Sequence, residues 1–419
     1  MNSIKWPKIG VGKIDITPDY PIRLSGYGAR KTETTSVVQP IWARCLVIIP
    51  PNQQPFILLC VENCGIPEHI TETVAQRLKV EENIPRRQFT LSVTHTHSAP
   101  FVSGALETLF GQSIPVDHQA RIDRYTVELT DKLVLVVQLA LSKVEIGQLS
   151  WGLSSVDFAR NRRDKRGPVD HDLPVMLASR KNGEPIAIWC SYACHTTTVA
   201  FNTINGDWAG YAMSELEAEH PTAMAFVSIG CAGDANPYPR GEYEHAKQHG
   251  HSVAEEVSRL MKTKLKPLNL DTTRGEISWV KLPFDEIPTR TEWEKRVKEG
   301  GAVGYHAEVQ LAKIDSGQTL PSYLSYAVQV WQFGQDLSIV FLAGEVVVDF
   351  ALRLKNELGR DTLWISAYCN DLPAYIPSVR ILKEGGYEGK TAMIYFNRPT
   401  HFKPDVEELV ISAVHGLLS

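Results

Sequence analysis

Residues 91–100 read Leu91-Ser-Val-Thr-His95-Thr-His97-Ser-Ala-Pro100, an apolar strand that runs into two histidines one residue apart. Alternation at period two predicts both imidazoles on one face, at the C-terminal end of a buried strand. Ligands of open α/β sheets gather at such ends, and neutral imidazole is the commonest metal ligand in proteins. The string therefore points to an α/β fold with a metal-binding strand end.

Moving outward, apolar β-branched runs recur at 43–49, 55–61, 88–94, 173–179, 185–193, 223–229, 325–333, 337–343 and 362–368. Turn signals bound them, so they are predicted as buried strands. Amphipathic segments at 67–80, 118–143, 209–219, 243–263, 291–314 and 345–358 have helical spacing. Such alternation predicts an α/β architecture of mixed β-sheets flanked by helices. The polar loop 157–170 between strand runs is candidate site material. Prolines and β-like runs at 264–290 suggest a possible lobe boundary, but no Gly/Ser linker separates domains, and one large catalytic domain spanning 1–419 is expected.

Two further strands end in polar residues. The run from Ile186 reaches Cys194-His195-Thr-Thr-Thr198, and Ile339-Val-Phe-Leu-Ala343 meets Gly344-Glu345 ahead of a helix. Polar bursts after apolar strands break the local pattern, which is tolerated mainly at functional sites. With His95, they make a His/His/Glu set of the kind catalytic zinc uses while keeping a position open. The glycine-containing strings at 205–212 and 228–238 are neither a Walker loop nor a Rossmann fingerprint, so phosphate cradling is not indicated. The second, around Gly233-Asp234-Ala-Asn236-Pro237, can present a short polar side chain to a reacting carbonyl.

Composition excludes other classes. The 419 residues carry a net charge of −5 and 43% hydrophobic residues, a soluble globular balance with no basic surface for nucleic acid. No apolar span approaches the length of a membrane helix, and the N-terminus lacks the apolar stretch of a signal peptide, so a cytoplasmic location is expected. Seven cysteines sit mostly in apolar runs and are expected to be buried thiols rather than a disulfide framework.

These residues resemble the catalytic domain of the neutral/alkaline non-lysosomal ceramidases, zinc amidases that cleave the N-acyl bond of ceramide. The matching strings run in order from Gly12-Lys-Ile-Asp-Ile-Thr-Pro18 through Thr94-His-Thr-His-Ser98, Asn161-Arg162, Val169-Asp170, Ala193-Cys-His195, Gly206-Asp207, Gly233-Asp234, Gly344-Glu345, Tyr375 and Gly386-Tyr-Glu-Gly389. The resemblance implies zinc held by His95, His195, Glu345 and Tyr375. It places His97 beside the metal as a donor to the developing oxyanion, and Arg162 and Tyr387 as groups that orient substrate. Asn236 stands where the family carries a catalytic serine. Asparagine is no nucleophile but can hydrogen-bond water or a carbonyl. The chain also stops at Ser419 without the immunoglobulin-like domain of the secreted ceramidases. A substrate other than ceramide is expected.

The expected function is zinc-dependent hydrolysis of an amide, less readily an ester, in a small-molecule N-acyl substrate, through water made acidic by the metal. Three rivals differ in checkable ways. An amidohydrolase barrel needs regular βα repetition, which is absent. Catalysis by Cys194 needs a base that its neighbour His195 cannot be, because strand neighbours face opposite sides. A non-catalytic metal-binding or carbohydrate- or lipid-recognition protein would hold zinc without turnover. Trp42, Trp151, Trp208, Trp331 and Trp364 are candidates to line a sugar or lipid pocket, or else to fill the core.

Overall fold

Three mixed β-sheets carry the fold, and each contains one pair of parallel strands at an edge. In the computed structural model, which describes residues 6–263 and 265–419, the first sheet orders Phe89–Val93, Phe56–Val61, Trp42–Ile49, Lys8–Asp15 and Glu145–Ile146. The second orders Met224–Ile229, Pro185–Tyr192, Asp172–Ser179, Gln148–Ser155 and Lys266–Pro267. The third orders Thr273–Pro283, Tyr323–Phe333, Leu337–Leu342 and Leu363–Ser366. Pairing is antiparallel except for Phe56–Val61 with Phe89–Val93, Pro185–Tyr192 with Met224–Ile229, and Leu337–Leu342 with Leu363–Ser366.

Parallel neighbours need a crossover, because a tight hairpin only joins antiparallel strands. The helices Glu68–Glu81, Asp207–Glu219 and Val348–Leu358 supply the three crossovers. Six strands thus form three βαβ units. In each unit both strands point their C-terminal ends the same way, and all three units point them toward one place.

What fixes the sheets relative to each other is an aromatic core drawn from all of them. Phe56, Leu58, Trp151, Trp189, Phe226, Trp331, Phe341 and Trp364 form one buried cluster. Trp189 meets Trp364 at 4.3 Å between ring centroids, Trp331 meets Phe341 at 4.9 Å, and Phe56 meets Trp331 at 5.4 Å. Rings of this size dominate core energetics. They also answer the pocket-lining alternative, since Trp151, Trp208, Trp331 and Trp364 are all core residues.

Each of the nine predicted strands falls on an observed one. Two of the strands outside those runs show why the hydrophobic pattern misses them. Lys8–Asp15 is diluted by Gly10 and Gly12, which let the helix Val116–Leu141 lie against the strand: a Cβ on Gly10 would sit 2.2 Å from the Ala140 carbonyl oxygen. Thr273–Pro283, inside the stretch 264–290, is a half-exposed edge strand paired along its whole length with Tyr323–Phe333. The predicted helix 291–314 is two helices, Arg290–Val297 and Gly301–Asp315, broken where Gly300 and Gly301 both adopt positive φ. The helix predicted from 345 begins at Val348, because Glu345–Val346 first pairs in parallel with Tyr375–Ile376. All seven cysteines are buried thiols. No helix among the described residues is long and apolar enough to cross a membrane.

Candidate metal centre

The C-terminal ends of the three parallel pairs meet at one buried point. His95 follows Phe89–Val93, His195 follows Pro185–Tyr192, and Glu345 follows Leu337–Leu342, so each sheet contributes one side chain. His195 Nε2 lies 3.0 Å and His95 Nε2 3.3 Å from the same oxygen, Glu345 Oε2. The second strand of each pair steers the first strand's residue. His95 Nδ1 donates to the Cys64 carbonyl at 2.6 Å, beyond Phe56–Val61, and His195 Nδ1 donates to the Ala232 carbonyl at 2.7 Å, beyond Met224–Ile229. Glu345 is paired across a parallel ladder with Tyr375, beyond Leu363–Ser366.

Commitment of each Nδ1–H to a carbonyl leaves each Nε2 lone pair facing the shared point, the arrangement that orients metal-ligating histidines. Two imidazole nitrogens and a carboxylate oxygen within 4.8 Å of one another are a donor set that fits zinc. In a second combination, Cys64 with His95 and His97, the Cys64 Sγ lies 3.9 Å from Nδ1 of His95, whose proton is already given to the Cys64 carbonyl.

The two histidines of the THTH string reach the point by a route that strand alternation did not foresee. The strand ends at Val93, and His95 has a left-handed backbone with φ of 57°. A turn therefore replaces the pleat, yet His97 Nε2 still lies 3.1 Å from His95 Nε2. Gly26 packs on this ring so closely that a Cβ there would sit 2.4 Å from His97, and Tyr27 meets it edge-on at 4.9 Å.

Tyr375 places its hydroxyl 3.4 Å from His195 Nε2, with Arg162 Nη2 donating to it at 3.0 Å. Arg162 Nε donates to Glu388 Oε1 at 2.7 Å, and its guanidinium covers the rings of both Tyr375 and Tyr387 at 5.4 and 5.5 Å. Tyr387 is 42% exposed, at the mouth of a 680 Å³ cavity that Asn236 and His97 also line. Asn236 Oδ1 is buried there without a hydrogen-bond partner. The Gly233–Pro237 turn is a structural hub as well. The Asp234 carboxylate accepts from Asn161 Nδ2 and from the Val348 amide, both at 2.9 Å, while its carbonyl accepts from the Arg162 amide at 2.8 Å.

Burial and neighbouring charge set the ionisation of the metal-free centre. Burial alone would depress His95, but the Glu345 carboxylate and Cys64 raise it to about 10. His195 is lowered to about 4 by burial and by Arg162. His97 is pushed well below its ordinary value by burial and by the two other histidines. Burial raises Glu345, and the two facing imidazoles reverse this and hold it well below the usual carboxylate range. Burial drives the Cys194 thiol well above its ordinary value, which disfavours the thiolate a cysteine nucleophile needs.

Sequence reasoning missed several residues. Arg163, next to Arg162, bonds Glu388, and the Tyr368 ring meets His95 at 4.4 Å between centroids, tilted by 37°. The signal for Arg163 and Glu388 was present in the Asn161-Arg162-Arg163 and Gly386–Gly389 strings; Tyr368 lies at the end of an apolar strand and looks like core.

The structure of a neutral ceramidase from Pseudomonas aeruginosa superposes with a TM-score of 0.77 at 16% identity, covering 99% of this chain and 74% of the other. A ceramidase complexed with C2 gives 0.75, also at 16% identity, covering 98% and 76%. At such identity these likenesses show the fold. No curated protein sequence matches. The family model described as neutral/alkaline non-lysosomal ceramidase, N-terminal, matches residues 8–246, more than half of the chain. The chain belongs to the neutral/alkaline non-lysosomal ceramidase family.

Proposed function

We propose that the chain is a zinc-dependent hydrolase of N-acyl amides whose substrate is not ceramide. The observation that carries this reading is the shared focus of His95 Nε2, His195 Nε2 and Glu345 Oε2, with both Nδ1 atoms tied to backbone carbonyls. Tyr375 completes the set, its hydroxyl within reach of the same point. Zinc there would supply Lewis acidity, polarising the amide carbonyl and lowering the pKa of water from 15.7 to about 7.

The remaining work falls to the protein. In hydrolysis the C–N bond breaks, the water oxygen ends on the acyl carbon, and a proton goes to the departing amine. His97 donates from Nε2 toward the carbonyl oxygen as negative charge develops there. Arg162, locked by Glu388 and Tyr375, holds a fixed positive charge beside it. Tyr387 keeps its proton at neutral pH, because burial and the Glu345 charge raise the phenol; it can pass that proton to the amine and be reprotonated by the proton the attacking water loses. Asn236 has no nucleophilic atom; its free Oδ1 is an acceptor for water or for the substrate N–H. Direct attack by water, with no acyl-enzyme, follows from that residue.

The test is metal content together with turnover of a panel of N-acyl compounds by chelated and zinc-restored protein. Stoichiometric zinc and zinc-dependent amide cleavage are expected. Stoichiometric zinc with no cleavage across the panel would leave the binding-protein reading in its place.

A further inference from the structure

The cavity over the metal centre carries the opposite charge to the chain as a whole. Three arginines line it, Arg162, Arg163 and Arg240, against the single acid Glu388, a net charge of +2 in a protein whose net charge is −5. Glu388 is already committed to Arg162 and Arg163, and Arg163 also reaches Glu384. Arg240 has no ion-pair or hydrogen-bond partner among the described residues. It lies close enough to Tyr27 for its charge to oppose the burial that raises that phenol to about 12.

The walls are polar in the same sense. No Val, Leu, Ile, Met or Phe side chain lines the cavity among the described residues, so a long acyl chain would find no aliphatic surface in it. Thr197 Oγ1 and His97 Nδ1 are buried without partners, as is Asn236 Oδ1. A buried polar atom without a partner is costly, and a polar ligand that satisfies several of them recovers that cost. A free guanidinium at the mouth of such a cavity favours carboxylates, which it can bind in a fork.

Resting on the hydrolase reading, we propose that the substrate is a small anionic N-acyl compound whose carboxylate is bound by Arg240. The charge can sit on the amine part, as in an N-acyl amino acid, or on the acyl part, as in a succinamate. Arg240 is exposed and holds nothing else in place, so its replacement spares the fold.

Two pairs of probes test this on the zinc-loaded protein by calorimetry, with initial rates where cleavage occurs. Hippurate is compared with neutral hippuramide, and N-benzylsuccinamate with its methyl ester. At least one anionic probe should bind about 10–100-fold tighter than its neutral partner, the range of a charge-assisted hydrogen bond. Which pair shows the preference identifies the part that carries the charge. Arg240→Gln should erase most of that ratio, Arg240→Glu should invert it, and raised salt should shrink it by screening. Arg259→Gln, on an exposed helix position elsewhere, should leave it unchanged. Equal binding of charged and neutral probes, a ratio untouched in Arg240→Gln, or no binding of either anion overturns the proposal. Cleavage without charge preference sinks this inference and leaves the hydrolase reading. Charge preference without cleavage of any probe upholds the carboxylate site at Arg240 and leaves the hydrolase reading to the broader panel.

Discussion

Among the described residues, two clusters bring histidine and carboxylate ligand atoms within 4.8 Å of one another, and they are neutralised in different ways. Around Glu33, Asp117 and His118 the chain supplies its own cations. Arg121 grips Glu33 through Nε at 2.6 Å and Nη2 at 2.7 Å and reaches Asp117 at 2.7 Å, while Arg23 donates to His118 Nδ1 at 2.8 Å. At His95, His195 and Glu345 no lysine or arginine among the described residues pairs with the carboxylate. The nearby guanidinium of Arg162 is held by Glu388 and Tyr375. One cluster is a finished network built on arginine, and the other meets its carboxylate with imidazoles alone, both Nε2 atoms facing the same oxygen. Proximity of ligand-type residues does not separate the two; the source of the positive charge and the direction of the ring nitrogens do.

The largest expected effect follows from that contrast. His195→Ala and Glu345→Ala should each abolish zinc retention and lower amide turnover by at least about a thousandfold, roughly 4 kcal/mol of barrier. Metal analysis of the purified variants checks it. Retention of stoichiometric zinc by either variant would erase the distinction between the clusters. Asn236→Ala comes next. Zinc should stay, because the Asn236 side-chain oxygen lines the cavity without a hydrogen bond to any of the three ligands, while kcat falls by about a hundredfold, as when one donor or acceptor at a reacting carbonyl is lost. Wild-type kinetics in this variant would remove Asn236 from the reacting site.

Much of this contrast was legible in the sequence, and the part that was not has physical reasons. His95, His195 and Glu345 could be singled out because each interrupts an apolar strand, and parallel strands buried on both faces read as continuous apolar runs. The resemblance added Tyr375, Arg162 and Tyr387. Local pattern could not show that three separate sheets converge, since that depends on the Trp189, Trp331 and Trp364 core, nor that His95 turns out of the strand with a left-handed backbone. The Arg121 network, whose partners lie as far as 88 positions apart, leaves no periodic trace at all. Arg240 follows a proline in an ordinary polar loop, and only the cavity gives it meaning.

Within the self-neutralised cluster the effect is smaller and different in kind. Glu33→Gln should lower stability slightly by leaving Arg121 without its bidentate partner, with zinc content and kcat unchanged. Urea unfolding and metal analysis on the same sample read both quantities. Loss of zinc in this variant would mean that the two clusters are coupled, contrary to their separate charge supplies.

Asp371 sharpens the comparison from the side of too little positive charge. Its carboxylate accepts the amides of Glu68 and Leu372 through one oxygen, each at 2.8 Å, but has no ion pair. Burial raises it to about 7, with Arg398 opposing and Glu68 adding to the rise. An acid whose folded value lies above its unfolded value of about 3.9 stabilises the fold relatively at low pH, and that contribution is lost as pH climbs from about 4 to 7. Asp371→Asn keeps the accepting oxygen and removes the titration. The variant should therefore gain on the wild type through that window and then hold a constant lead. The gain should be about 1 kcal/mol, because the group is half-buried and solvent screens it. Melting temperatures of both proteins across the window measure the difference. A flat difference would mean that Arg398 neutralises Asp371 as fully as Arg121 neutralises Glu33, leaving Glu345 the one acid of the three whose charge is met by histidines alone.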